Sequence, residues 1–224
     1  MPAKSADEVW LDAAWSFVSA HLPPAPSRVV EIGCGTRGGF VPFMDAAGYE
    51  PVGVDPEAPE GPRYRQAPFE DADLGRDLDA VVACVSLHHV ADLDEVIGKV
   101  ASTLRQDGRL IVIEWAWEHF DEATARWAFA RLREEEGWLH RHRKRWQDSG
   151  LSWPACLQEW AGEEGLHRGT AVRQAIERRF RTDVLDHDAY LFPELDPPDI
   201  ATERAAIAAG EIAAVGIRCV ATLA

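Results

Sequence analysis

A cluster of glycines is the first feature of the chain with chemical meaning. Gly33, Gly35 and Gly38 follow a short apolar run that carries one acidic residue, Glu31. Glycine has no Cβ to block a close approach and tolerates positive φ angles, so such a cluster brings backbone N–H groups against a ligand. We therefore expect a ligand to lie across the turn formed by residues 33–39.

Two kinds of ligand fit this glycine spacing. A dinucleotide would use the turn for its pyrophosphate and Asp55 for a ribose, as in nicotinamide-dependent oxidoreductases. Glu31 would oppose a pyrophosphate but would attract the ammonium group of an amino-acid moiety. The sequence also lacks a Tyr-x-x-x-Lys pair. Glu31 therefore favours a ligand with a cationic end, and the NAD-dependent oxidoreductase is the less favoured alternative.

Three histidines follow predicted strands and are candidates for catalysis. His88 and His89 come after one apolar run, and His119 comes after the next. An imidazole titrates near neutrality, so each could take a proton from a hydroxyl or amine. The alternatives are histidines that only bond to backbone and a reaction driven by proximity alone. His88, His89 and Glu114 lack a standard metal-ligand spacing, so no metal site is expected.

Hydrophobic periodicity predicts the elements that position these residues. Strands and helices alternate up to residue 115, which predicts an open parallel sheet with helices on both faces and a ligand crevice at the carboxyl ends of the strands. The predicted helices cover residues 5–21, 40–47 and 93–104, and the predicted strands cover residues 28–32, 51–55, 63–67, 78–86 and 109–115.

Four segments, in this order, resemble the motifs of class I S-adenosylmethionine-dependent methyltransferases: residues 30–38, 52–55, 86–90 and 104–112. The resemblance covers about residues 28–117. It implies an α/β, Rossmann-like fold with a seven-stranded, mostly parallel sheet and S-adenosyl-L-methionine as the cofactor. The last strand would be antiparallel and lie beside the fifth. Residues 179–190 and 214–221 are strand-like candidates for the last two strands, with a helix predicted over 200–209.

The resemblance also implies which residues contact the cofactor. Asp55 would bind the ribose hydroxyls, the backbone of residues 33–35 would lie against the methionine part, and Phe69 and Glu70 would flank the adenine. Arg37 stands where the family usually has a small residue and could reach the acceptor or a carboxylate. The implied cofactor-binding set is Glu31, Gly33, Cys34, Gly35, Gly38, Asp55, Pro56, Phe69, Glu70 and Ser86.

We expect a single domain over residues 1–224, with a cofactor core (28–117), a helical insertion that roofs the cleft (118–178) and the last two strands (179–224). Seven of the nine tryptophans lie between residues 115 and 167, so the roof should be aromatic. Most should be core, while Trp115 and Trp117 are expected to line an aromatic acceptor pocket. The basic run at 140–145 is interpreted as a solvated face paired with the acids at 134–136, or alternatively as an anion patch. We expect the tryptophans, and not this run, to select the acceptor.

Composition limits the partners. The chain has 38 acidic and 23 basic residues, a net charge of -15, which disfavours nucleic acids and anionic membranes. Four dispersed cysteines and an N-terminus without an apolar segment indicate a soluble, cytoplasmic protein. We expect a monomer or homodimer that transfers methyl to O, N or C of a small molecule, as in secondary metabolism. The alternative is a protein of this fold that no longer transfers methyl and acts as a scaffold or rearrangement catalyst.

Overall fold

One seven-stranded sheet organises the residues that the computed structural model describes, 4–133 and 137–224. Its order is β3-β2-β1-β4-β5-β7-β6. The first five strands pair in parallel, while β7 is antiparallel to both β5 and β6. The predicted sheet, with its last strand beside the fifth, is therefore confirmed. The strands are β1 (Arg28–Ile32), β2 (Glu50–Val54), β3 (Tyr64–Arg65), β4 (Leu78–Cys84), β5 (Leu104–Trp115), β6 (Phe180–Asp188) and β7 (Gly216–Leu223).

Helices cover both faces of this sheet. On one face α3 and α7 bury residues such as Val96, Val100 and Val172, and on the other α1 and α2 bury Phe17 and Met44. The central strands are apolar on both sides, as expected for a doubly covered parallel sheet. The helices are α1 (Ala6–His21), α2 (Val41–Ala46), α3 (Leu93–Thr103), α4 (Glu122–Phe129), α5 (Trp138–Ser149), α6 (Trp153–Glu163), α7 (Gly169–Glu177) and α8 (Ile200–Ala208).

The start of β5 differs from the sequence prediction. The strand was predicted to start at residue 109, but it already begins at Leu104. Leu78 pairs with Leu104 and Ala80 pairs with Arg109, so the register shifts between these pairs. The additional residues form an irregularity at the amino ends of β4 and β5, opposite the carboxyl ends where the ligand crevice is expected.

The segment between β5 and β6 is helical: α7 packs on the sheet, and the three helices before it form a separate unit, here called the roof. Helices α4, α5 and α6 pack around a third apolar cluster that contains Phe120, Trp153 and Leu157. The acids at 134–136, expected to pair with the basic run, lie outside the described residues. None of the helices in the described part of the chain is long and apolar enough to cross a membrane.

Candidate active site

Three adjoining cavities lie where the parallel strands end. The Asp55 cavity (about 380 Å³) adjoins the ends of β2 and β4. The Glu31 cavity (about 370 Å³) lies between the glycine turn and α1. The aromatic cavity (about 580 Å³) is lined by residues of α5 and α6. Val85, the residue after β4, lines all three, so they are compartments of one cleft.

The Asp55 cavity gathers residues that the sequence assigned to the cofactor. Asp55 Oδ2 accepts a hydrogen bond from the N–H of Gly35 (3.0 Å), and Oδ1 accepts one from the N–H of Glu57 (2.7 Å). Ser86 Oγ is buried and has no hydrogen-bond partner among the described residues. Since buried polar atoms are normally paired, this hydroxyl is available to a ligand. The predicted residues lining this cavity are Gly33, Asp55, Pro56, Phe69, Glu70 and Ser86.

Glu31 lies at the floor of the second cavity and is 1% exposed. Its Oε2 accepts a hydrogen bond from the N–H of Phe40 (2.8 Å), which immediately precedes α2. Burial raises the pKa of this carboxyl to about 8, although that hydrogen bond opposes the shift. Glu31 therefore fixes the start of α2 and also presents an acidic group to the cavity.

Positive φ angles and close neighbours restrict two positions of the turn to glycine, and the neighbour differs between them. Gly33 has a φ of 77°, and a Cβ there would overlap Ser86. Gly38 does not line a cavity; its φ is 84° and a Cβ would overlap the Tyr64 ring. Gly39, the last residue of the predicted ligand-binding turn but not one of the implied cofactor-binding residues, lines the Glu31 cavity together with the predicted Cys34 and Gly35.

Arg37 faces the Glu31 cavity and not the aromatic one. Its Nη1 donates to Ser5 Oγ (2.9 Å) and lies 3.6 Å from an Asp7 carboxylate oxygen. These partners belong to the start of α1. The structure therefore places Arg37 away from the expected acceptor pocket and near the cofactor end of the cleft.

His88 and Glu114 form a buried pair at the wall of the aromatic cavity. The Nδ1 atom of His88 lies 2.5 Å from Glu114 Oε1, and the two side chains are 3% and 1% exposed. The N–H groups of Leu87, His88 and Trp115 also donate to this carboxylate. No described residue bonds to Nε2 of His88, and the ring lines the cavity. The imidazole is thus fixed by its neighbour and open on its other side.

The other two candidate histidines lie in different surroundings. His89 is exposed and lines both the Asp55 and the aromatic cavities. Its side chain is only partly exposed, and this partial burial together with the adjacent His88 lowers its pKa. His119 lines none of the three cavities, because the turn after β5 directs it toward β6, where its ring lies 5.4 Å from that of His187. The structure does not bring His119 to the cleft.

Aromatic rings form much of the third cavity. Trp115 and Tyr190 are stacked, with centroids 5.9 Å apart and an interplanar angle of 4°. Trp138 and Trp160 lie 5.2 Å and 5.8 Å from Trp115. Trp138 and Tyr190 also line the Glu31 cavity, so they stand at the boundary between two compartments.

Trp117, expected beside Trp115 in the acceptor pocket, lines none of these cavities. It is 4% exposed, and its Nε1 donates to the carbonyl of His167 (3.0 Å). It is the first residue of the short 3₁₀ helix Trp117–His119 that follows β5, and its ring packs into the roof core. The placement corrects the prediction for Trp117 and retains that for Trp115.

Val85 stands at the meeting point of the cavities with a φ of 51°. A β-branched residue rarely adopts this left-handed conformation, which costs of order 1–3 kcal/mol. Its N–H still bonds to the carbonyl of Ile113 (2.8 Å). The strained conformation turns the chain sharply between β4 and the pair of histidines.

A sequence model described as a methyltransferase domain matches residues 8–154, more than half of the chain. The chain belongs to the methyltransferase domain family. This result confirms the prediction of a class I methyltransferase, an enzyme class whose methyl donor is S-adenosylmethionine. A comparison with curated protein sequences gives no match.

Solved structures resemble this methyltransferase over almost its whole length at low identity. An S-adenosylmethionine-dependent methyltransferase from Mesorhizobium loti is 17% identical with a TM-score of 0.58, covering 95% of this chain and 99% of its own. Geranyl diphosphate C-methyltransferase from Streptomyces coelicolor A3(2) is 15% identical with a TM-score of 0.56, covering 95% and 75%. At such identities the likeness shows the fold alone.

The residues of this methyltransferase suit its methyl donor. The cleft offers a free buried hydroxyl on Ser86, a carboxylate on Asp55 beside the glycine turn and an acidic group on Glu31. A nucleoside needs hydrogen-bond partners for its hydroxyls, and an ammonium group needs an acidic partner. Both requirements are met in adjoining compartments.

Several residues of the aromatic cavity in this methyltransferase were not among the predicted site residues, although three of them lie in the basic run that was interpreted alternatively as an anion patch. Trp138, Arg141, His142 and Arg145 share one face of α5, a spacing that helical periodicity could have revealed. Tyr190 follows β6 and reaches the cleft only through the sheet order, which no local pattern encodes.

The described residues contain no group of three or more potential ligands arranged to hold a metal ion.

Proposed function

We propose that this methyltransferase methylates a hydroxyl group of a small aromatic molecule bound in the aromatic cavity. The observation that carries the proposal is the buried His88–Glu114 pair at the wall of that cavity. The volume of the aromatic cavity, about 580 Å³, suits a small molecule. The rings of Trp115, Trp138 and Trp160 support a flat, largely apolar acceptor.

His88 is the proposed general base. Because Glu114 is a hydrogen-bond acceptor, the proton between them belongs on Nδ1, and Nε2 carries the lone pair. An acceptor O–H in the cavity would donate to Nε2. Its proton would pass to the ring as the oxygen bonds to the methyl carbon and the bond between that carbon and the sulfonium sulfur breaks, which would leave S-adenosylhomocysteine. Glu114 then offsets the positive charge of the imidazolium. Glu114 therefore holds the His88 ring in one orientation and in one tautomer.

The remaining residues hold the reactants. S-adenosylmethionine, when bound, supplies an electrophilic methyl group on its sulfonium. Asp55 and Ser86 offer polar atoms to the adenosine part, and Glu31 offers an acidic partner to the ammonium group. Tyr190 and Trp138, at the boundary of the Glu31 and aromatic cavities, exclude water from the place where the reactants meet.

Transfer to nitrogen or carbon and a protein that no longer transfers methyl are the competing hypotheses. The fold does not choose among them, since its neighbour from Streptomyces coelicolor is a C-methyltransferase. A hydroxyl is favoured because it is a weak nucleophile until its proton is removed, and His88 is placed to remove a proton.

The test starts from a panel of phenols, catechols and anilines incubated with methyl-labelled S-adenosylmethionine. We expect methylation of hydroxyl groups and a turnover about 100-fold lower in His88→Ala. Calorimetry should give S-adenosylhomocysteine affinities within about threefold for the two proteins, because His88 is not among the residues proposed to hold the cofactor.

His119→Ala is the matched control, since it also removes an imidazole but one outside the three cavities. Its turnover should change by less than about twofold. Labelling of anilines without phenols, or a His88→Ala variant that keeps more than a tenth of the turnover, would contradict the proposal. Binding of S-adenosylhomocysteine without any transfer would favour the scaffold hypothesis.

We further propose that this enzyme acts on a small molecule in the cytoplasm, as a monomer or a homodimer. All four cysteines are buried and unpaired, which agrees with a reducing compartment. Cell fractionation and light scattering of the purified protein test location and oligomeric state.

A further inference from the structure

One face of α5 brings four residues of the aromatic cavity together. Trp138, Arg141, His142 and Arg145 lie at positions i, i+3, i+4 and i+7 of the helix, and all line the cavity. Lys144, from the same basic run, does not line it. The basic run and the tryptophans were expected to play separate roles, but the helix places two of the arginines among the rings.

Arg141 is the cation of this cavity that remains available. It is exposed and forms no hydrogen bond or ion pair through its side chain with residues 4–133 or 137–224, although its charge acts at longer range on Glu194. Arg145 already donates to Glu163 (2.7 Å). Glu164 is the single carboxylate among the described lining residues. On a chain of net charge -15, a guanidinium without an ion-pair partner among the described residues stands out beside this aromatic cavity and would attract an anionic group.

His142 offers a second polar side chain to a ligand in this cavity. It is 7% exposed, and neither ring nitrogen is hydrogen-bonded to a described residue. Burial and the charges of Arg141 and Arg145 lower its pKa to about 4, so the ring is neutral at pH 7. A neutral imidazole has one donor and one acceptor, and neither nitrogen of His142 is among the fully buried, unpaired atoms of the described residues, so both are open to the cavity. The ring lines the cavity, where a ligand can pair with it.

From these observations we infer that the acceptor carries an anionic group, a carboxylate or a phosphate, which Arg141 binds at the solvent side of the aromatic cavity. This inference rests on the proposed function and names its substrate class. A guanidinium forms two parallel hydrogen bonds with either anion. The aromatic rings could also surround an ammonium group, but Arg141 would repel it. His142 supplies a neutral hydrogen bond deeper in the cavity.

Four probes that share a phenol ring separate these possibilities: 4-hydroxyphenylacetate, 4-hydroxybenzylphosphonate, methyl 4-hydroxyphenylacetate and tyramine. They differ in the charge of the group opposite the hydroxyl. Binding is measured by quenching of tryptophan fluorescence with S-adenosylhomocysteine at saturation. We expect one or both anions to bind at least about tenfold more tightly than the ester and tyramine, and the tighter anion distinguishes carboxylate from phosphate.

Arg141→Gln should weaken binding of the tighter anion about tenfold and leave the ester unchanged, while Arg141→Lys restores part of the loss. Lys144→Gln removes the same charge from α5 outside the cavity and should change binding less than about twofold. Equal losses in Arg141→Gln and Lys144→Gln, binding of no probe, or a preference for tyramine or the ester would overturn the inference. Arg141-dependent anion binding without methylation of any probe would support it while contradicting hydroxyl transfer.

Discussion

The two halves of the cleft are built in different ways. The cofactor half, formed by the Asp55 and Glu31 cavities, consists mainly of residues at the ends of β1, β2 and β4. The acceptor half, formed by the aromatic cavity, combines α5 and α6 with Trp115 and Tyr190, which are far apart in sequence. In the first half a backbone turn determines the residue types, whereas in the second half side chains on separate elements determine the shape.

This difference explains why substitutions should act differently in the two halves. A glycine turn has one conformation that works, so a single added carbon can displace the backbone against which a ligand lies. An aromatic wall has several rings that share the contact, so the loss of one ring leaves most of the wall in place. We therefore expect steep effects on the cofactor side and graded effects on the acceptor side.

Gly33→Ala gives the largest effect expected from this comparison. The added Cβ would overlap Ser86 and would also occupy a φ of 77°, which costs about 1–2 kcal/mol by itself. We expect affinity for S-adenosylhomocysteine, measured by calorimetry, to fall at least about 100-fold. Gly35→Ala is the control, because its φ is 61° but no atom lies within 4 Å of the added Cβ. Similar losses in both variants would mean that backbone conformation, and not the contact with Ser86, is responsible.

Asp55→Ala tests the same half through a side chain. The variant loses the acceptor for the Gly35 N–H and the carboxylate proposed to bind ribose hydroxyls. We expect affinity for S-adenosylhomocysteine to fall by about 1–3 kcal/mol in calorimetry. Asp71→Ala, a nearby exposed acid that lines none of the three cavities, should leave the affinity unchanged. An unchanged affinity in Asp55→Ala would move the ribose site elsewhere.

The sequence could predict the cofactor half because its signals are local. Glu31, the glycine spacing and Asp55 lie within 25 residues, and the strands that carry them are continuous apolar runs. The acceptor half depends on where the insertion folds back. Nothing local distinguishes Trp117, which points into the roof core, from Trp115, which lines the cavity. His88 was selected from its position, but its orientation by Glu114 across two strands appears only in the structure.

The pH dependence of cofactor binding gives a moderate effect in the same half. Burial raises the pKa of Glu31 to about 8, so the unliganded protein holds this proton at pH 7. A bound ammonium group favours the ionised form, so binding releases the proton and affinity rises with pH. Between pH 6 and pH 7.5 calorimetry should show an increase in cofactor affinity approaching tenfold per pH unit. The released proton should make the measured binding enthalpy depend on the buffer.

Glu31→Gln should bind the cofactor more weakly and lose this slope. The same raised pKa predicts that the stability contributed by the protonated carboxyl is present below about pH 4.5 and declines as the pH rises through about 8. The unliganded wild type should therefore lose melting temperature over this range relative to Glu31→Gln. A slope that persists in Glu31→Gln would assign the titration to another group.

Trp160→Ala and Trp117→Ala sharpen the comparison on the acceptor side, where the smallest effect is expected. Trp160 lines the aromatic cavity beside His142, at a centroid distance of 4.4 Å, whereas Trp117 does not line it. One of several rings contributes about 1 kcal/mol, so Trp160→Ala should raise the acceptor KM about fivefold, with S-adenosylhomocysteine affinity unchanged.

Trp117→Ala removes a ring that is 4% exposed and should lower stability by about 3–5 kcal/mol. Trp117→Phe keeps most of that packing, and its KM should stay within about twofold of wild type. A larger KM change in Trp117→Phe than in Trp160→Ala would show that the acceptor lies under the roof core and not in the aromatic cavity.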